Sequence, residues 1–341
     1  MIFLVKRINY TLFLFQFITT LFIIFIHAPL PYYGYLTDSL GRATVIFYFI
    51  VSAYFYYFTI NREDYTYKVT IKKCLRLLLI ACCAYLAYAI IMVFIKSHEL
   101  GEYPSFFTNP TFDNLTQLFS VYIRNIFFLW FIFSLIICYL LMPLINKWKF
   151  IHSKYVIIIP IVMLSFAYIF RIIAIYYHFP DPFGRYESTR NFFFTGLPCF
   201  LLSFYLKEHI IDQNKLHNIK TSTLLILILV LVATTLLEAF IHDYFFHFCN
   251  EFYISSVLLS ILLFIYGAYH PNNKAGQMIE KLFSFRVTTI YYLMHVIILV
   301  SFSFMCTKPW LEYIRIIATI AICLTISVMY NLITRKKKQV S

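Results

Sequence analysis

The sequence predicts an all-α, polytopic integral membrane protein with about ten transmembrane helices and both termini in the cytoplasm. Three observations lead there. Of the 341 residues, 62% are hydrophobic and only 13% are charged, where a soluble domain carries about a quarter. Mean hydropathy is +0.78. The 28 Lys and Arg residues, which leave a net charge of +13, sort unequally between alternate loops. A soluble protein of this size cannot cover its surface with so few charges. The composition therefore excludes a soluble enzyme, a disordered chain and a disulfide scaffold.

A helix needs about 20 apolar residues to cross the bilayer core. Ten stretches meet that need, at 10–28, 43–60, 77–95, 122–145, 155–177, 191–206, 222–241, 252–269, 288–305 and 313–333. The first follows Lys6 and Arg7. Its apolar run is too long for a signal-peptide core, and no small-residue cleavage site follows it, so it reads as a membrane helix. The stretches between spans are short, the longest near 96–121 and 270–287. Residues 1–341 are thus expected to form one membrane domain with no soluble domain. Glycine is scarce, seven in all. No G-x-x-x-G packing motif and no Gly-interrupted half-helix is evident.

Orientation follows from the basic residues, which collect on the cytoplasmic side. With the N-terminus inside, twenty of the 28 fall on inner segments, including the tail from Arg335 to Lys338. The positive charge therefore needs no nucleic acid to explain it. The eight cysteines form no C-x-x-C and no Cys/His metal spacing. No metal and no tightly bound cofactor is expected. Cys249 and Cys306 can both lie outside, but nothing else in the sequence pairs them.

Ionisable residues at membrane depth are costly and mark functional candidates. Six of them fall in one outer layer of this topology: His27, Arg42, Arg124, Arg171, Arg190 and Glu238. His295 lies about two turns into the ninth span. Each has an ordinary alternative. An Arg near a helix end can reach the headgroups, Arg171 and Glu238 can form a structural ion pair, and either His can serve packing. Together they suggest an outward-opening polar cavity. Guanidinium groups suit phosphate, carboxylate or sugar hydroxyls there. On the inner side, Lys68, Lys72, Lys73 and Arg76 follow helical spacing. Such a face binds anionic headgroups or receives a phosphorylated donor. No Walker loop or G-x-G-x-x-G is present.

Five segments resemble integral-membrane acyltransferase family 3. FQFITTLFIIFIHAPLP resembles the opening helix, which ends in a functional histidine, matched by His27. GRATVIFYFIVSAYFYY resembles an R-x-x-V-P-x-F-F-x-x-S-G-Y segment through Arg42, Phe47, Phe49, Ser52 and Tyr54. The segment around Trp130 resembles the family's L-W-F-L stretch. STRNFFFTGLPCFLLSFYL matches an R-N-x-x-F-x-G-L-P segment at Arg190, Asn191, Gly196 and Pro198. TTIYYLMHVIIL places Tyr291 and His295 in register with a late I-Y-L-x-H segment. The departures are Gln16, where the family often has Arg, and Ile46, Ala53 and Ser203 for a Pro and two Gly.

The resemblance implies a membrane-bound O-acyltransferase. An acyl group, most simply acetyl, passes from cytoplasmic acyl-CoA to a hydroxyl of an extracytoplasmic or lipid-linked glycan. His27, Arg42 and Glu238 are then the catalytic candidates. Arg124, Arg171, Arg190, Asn191, Tyr291 and His295 are expected to bind substrate, and Lys68, Lys72, Lys73 and Arg76 the CoA phosphates. The expected setting is the bacterial cytoplasmic membrane, among membrane lipid and polysaccharide synthesis machinery. Two other readings remain at this point: an exporter of a glycan or anion, and a non-catalytic subunit of a synthesis complex.

Overall fold

The computed structural model describes residues 9–100, 129–177, 189–216, 218–246, 253–284, 287–302 and 309–340. Among these the secondary structure is helical, without strands. The α-helices are α1 (Tyr10–His27), α2 (Gly34–Ile60), α3 (Tyr67–Leu100), α4 (Trp130–Ile145), α5 (Ile158–Tyr176), α6 (Leu197–Tyr205), α7 (Thr221–Phe246), α8 (Ile254–Tyr269), α9 (Lys274–Phe283), α10 (Val287–Ser301) and α11 (Pro309–Val340). Within the described residues, each of the ten sequence stretches overlaps helix. Among the described residues, five segments are long and apolar enough to cross a membrane: Tyr10–His27, Gly34–Ile60, Lys154–Ala174, Thr221–Phe245 and Trp310–Thr334. A sixth counts if α8 and α9, bent by 97°, are one span. Their outer faces fit lipid: α7 turns Leu225, Ile226, Leu229, Val230 and Leu237 outward.

The central element is α2. It packs against α1, α4, α6, α7 and α8. Phe47, Phe49, Ile50, Val51, Ala53 and Tyr56 are fully buried along it. Buried polar side chains then fix its neighbours by depth. Thr44 Oγ1 donates to the Thr19 carbonyl at 2.9 Å, and Ser260 Oγ to the Ala43 carbonyl at 2.8 Å. Ser203 Oγ donates to the Ile50 carbonyl at 2.8 Å, and the Tyr56 hydroxyl to the Tyr139 carbonyl at 2.8 Å. Such hydroxyl bridges join helices where apolar surface gains little from leaving lipid. Ser203, a departure from the family pattern, thereby acquires a packing role.

Local chemistry sets the ends that matter. Asn9 caps α1, accepting from Leu12 N at 2.9 Å and donating to the Gly267 carbonyl at 2.8 Å. At its other end α1 stops at His27 because Pro29 and Pro31 follow and cannot continue a helix. The sixth stretch is not one regular helix. It begins as a π-turn, Phe192–Gly196, before α6, and continues as a second, Leu206–Ile211. Pro198 at the start of α6 lacks the N–H that would extend regular α bonding backward. The segment near 270–287, expected as an inner loop, contains α9. Likewise α3 starts at Tyr67, ten residues before the predicted span.

Candidate functional site

The C-terminus of α1 delivers His27 to a small pocket. Arg42 of α2 and Arg190, just before the first π-turn, line the same pocket. Its aromatic wall is Trp130, Phe131 and Tyr292. Thr195 also faces it and donates through Oγ1 to the Thr189 carbonyl at 2.8 Å. The wall is braced from α2: the ring of Phe49 lies 4.5 Å from that of Phe131 and 6.0 Å from that of Trp130, centroid to centroid.

Two glycines make this closeness possible. A Cβ on Gly41 would lie 2.6 Å from Ile26 Cγ1 and 2.9 Å from the Phe22 carbonyl oxygen. A side chain there would push α2 off the last turns of α1, where His27 stands. On Gly196 a Cβ would lie 2.9 Å from Cys138 Sγ and 3.3 Å from Phe49 Cε1, which would displace the turn following Arg190.

His295 enters from α10. Its ring centroid is 5.2 Å from that of His27, and only 1% of the residue is exposed. His295 Nδ1 donates to the Tyr291 carbonyl at 2.9 Å. A carbonyl only accepts, so the neutral ring keeps its lone pair on Nε2. That nitrogen has no hydrogen-bond partner among the described residues. Tyr291 is fully buried, and its ring stacks on His295 at 5.9 Å. It faces a tight cavity, too small to admit water, with Phe17, Thr20, Leu21, Val287 and Thr288. Beside that cavity the Tyr48 hydroxyl donates to the Gln16 carbonyl at 3.0 Å and meets the Thr20 hydroxyl.

Several sequence candidates lie elsewhere. Glu238 was expected to orient His27 or bind sugar, but it caps α8. One carboxylate oxygen accepts from Ile254 N at 3.0 Å and the Tyr168 hydroxyl at 3.2 Å. The other accepts from Ser255 N at 3.0 Å and Ser255 Oγ at 2.5 Å. A carboxylate at a helix N-terminus meets unpaired N–H groups and the positive end of the dipole. Asn191 is likewise engaged with backbone: its Oδ1 accepts from Phe193 N and Phe194 N, both at 2.9 Å, and closes the π-turn. Arg171 is buried on α5, one turn after Tyr168. Arg124, Cys249 and Cys306 lie outside the described residues.

The inner basic set divides. Lys68, Lys72 and Arg76 are exposed along one stripe of α3. Lys73 turns inward, and its Nζ lies 3.8 Å from the Tyr139 ring centroid and 4.7 Å from that of Tyr56. A cation over two aromatic faces is held in place and is less available to a ligand than its three neighbours.

Asp38 is the site residue that sequence reasoning missed. It pairs with Arg42 through Nε, 3.1 Å from each carboxylate oxygen. The signal was present as an acid four residues before a base on one helix. Tyr292 gave no comparable signal, standing in an apolar run beside Tyr291.

No curated protein and no solved structure matches this chain. The family model described as an acyltransferase domain matches residues 9–333. With a helical architecture, several membrane-length apolar helices and a match over nearly its whole length, the chain belongs to acyltransferase family 3.

Proposed function

We propose that this acyltransferase is a membrane-bound O-acyltransferase, moving an acyl group, acetyl most simply, from cytoplasmic acyl-CoA to a hydroxyl of an extracytoplasmic or lipid-linked glycan. In this reading about ten helices cross the bacterial cytoplasmic membrane, both termini lie inside, and the acceptor comes from surface polysaccharide synthesis. The observation that carries it is the meeting of His27, Arg42 and Arg190, from three separate segments, in one aromatic-walled pocket.

The chemistry follows from residue types. A hydroxyl is a poor nucleophile until a base takes its proton, and His27 is the base in reach of the pocket. The acceptor oxygen attacks the thioester carbonyl carbon, and its proton passes to His27. The negative charge then forms on the former carbonyl oxygen. Arg42 and Arg190 line the space where that oxyanion would form, and guanidinium donors stabilise it strongly away from bulk water. Collapse breaks the carbon–sulfur bond, leaves the new ester, and expels the CoA thiolate, which takes the proton back from His27. His295 supplies an acceptor nitrogen beside His27.

The donor's charged nucleotide stays at the inner surface, where Lys68, Lys72 and Arg76 offer exposed cations. Lys73 supports that face through its packing on Tyr56 and Tyr139. The seam of α1 and α10 carries Thr20, Thr288 and Tyr291 and would have to part to admit a thin, amide-bearing pantetheine arm.

The test uses membranes carrying the protein, labelled acetyl-CoA and the glycan fraction of the same cells. Wild type should transfer label, and His27→Ala should lower transfer by at least about 100-fold. Full transfer by His27→Ala would remove His27 from the mechanism. No transfer by wild type would sink the acetyl-to-glycan reading.

A further inference from the structure

Asp38 stands one turn before Arg42 on α2. Both side chains are 7% exposed. Removing two charges from water costs several kcal/mol each, and an apolar pair of the same size is often at least as stable. Stability alone is therefore a weak reason for this pair. Its location supplies a stronger one, because Arg42 shares a pocket with His27 and Arg190.

A guanidinium acts on a developing charge only when its plane is aimed at it. A free Arg side chain has large rotamer entropy and rarely holds one aim unaided. Asp38 engages Nε with both oxygens, which fixes the plane and the direction in which the two terminal nitrogens extend. Arg42 and Arg190 also repel each other in a shared pocket, and Asp38 offsets one of the two charges. The helix beneath is fixed as well. Gly41 packs on Ile26 and Phe22, the Ala43 carbonyl accepts from Ser260, and Thr44 donates to the Thr19 carbonyl. Asp38 and Arg42 thus have little freedom to shift relative to His27.

We propose that Asp38 is the positioning residue of this site: its buried carboxylate holds the Arg42 guanidinium, through Nε, in the orientation that meets the oxyanion beside His27. The assignment rests on the acyl-transfer reading above.

A double-mutant cycle tests it, with labelled acetyl-CoA as donor and the cells' own glycan as acceptor. Asp38→Asn and Arg42→Gln should each lower kcat about 100-fold, the scale of a small misplacement, with the KM for acetyl-CoA changing less than about threefold. The double variant should be no slower than Arg42→Gln, since residues acting through one another are not additive. Asp38→Glu, which keeps the carboxylate, should recover to within about tenfold of wild type. Independent, multiplying losses would overturn the proposal. So would an Asp38→Asn loss that only tracks a lower fraction of folded protein in a heat-unfolding control. A wild type inert towards acetyl-CoA would instead overturn the donor reading, taking this proposal with it, and differs from an active wild type with additive losses.

Discussion

The rings of His27 and His295 lie 5.2 Å apart at an interplanar angle of 44°, and the Tyr291 carbonyl holds His295 by Nδ1. Two imidazoles from opposite ends of the sequence therefore meet, one lining the pocket and the other behind it. One has its tautomer fixed by backbone. Because His295 Nε2 is left as an acceptor, it can take a hydrogen bond from His27 or from a substrate hydroxyl. His295→Phe keeps the ring volume and the stacking on Tyr291 but removes that lone pair. We expect acyl transfer to fall about 10- to 100-fold, within the usual range of a positioned acid–base group, with the unfolding temperature nearly unchanged. Full transfer by His295→Phe would leave His295 a packing residue.

Much of this arrangement was legible in the sequence. Long apolar runs placed the helices, since lipid leaves the backbone few other solutions. Charge at membrane depth singled out His27, Arg42, Arg190 and His295, and all four meet at or beside one pocket. The same rule also selected Glu238, which the structure places at the N-terminus of α8. A carboxylate buried at a helix N-terminus and one buried for catalysis look alike in sequence, and only the approach of α8 tells them apart. Asn191 is likewise placed as a cap, a natural position for an Asn before a helical turn. Asp38 was overlooked because an acid four residues before Arg42 is common on helices and gives no hint that both will be buried.

Glu238 provides a direct contrast between capping and catalysis. Its two oxygens take four donors, two of them N–H groups of the first turn of α8. Hydrogen bonds to a charged group are worth about 1.5–3 kcal/mol. Glu238→Gln keeps the shape but loses the charge and replaces an accepting oxygen with a donor. It should lower the unfolding temperature by several degrees while leaving the transfer rate per folded molecule within about twofold. Collapse of transfer at an unchanged unfolding temperature would return Glu238 to the catalytic set.

Another histidine, away from the pocket, gives a pH dependence unconnected with catalysis. His152 lies between α4 and α5, outside the membrane-spanning segments. Its Nδ1 is 2.7 Å from a Glu208 oxygen and its Nε2 2.8 Å from the Asn146 carbonyl oxygen. Both partners are acceptors, so both ring nitrogens donate only in the charged form. Partial burial pulls its pKa down, but the Asn146 carbonyl and the Glu208 carboxylate outweigh this and hold it above the ordinary 6.5. A raised folded-state value means that the charged form favours folding. The contribution is fully present below about pH 6.5 and fades as pH rises through the raised value. The side chain is 38% exposed, so solvent screening limits it to about 0.2–1 kcal/mol. Between pH 6 and 8.5 the wild type should therefore lose about 1–2 °C of unfolding temperature relative to His152→Gln. Equal slopes for the two proteins would show that this ion pair does not set the pH dependence.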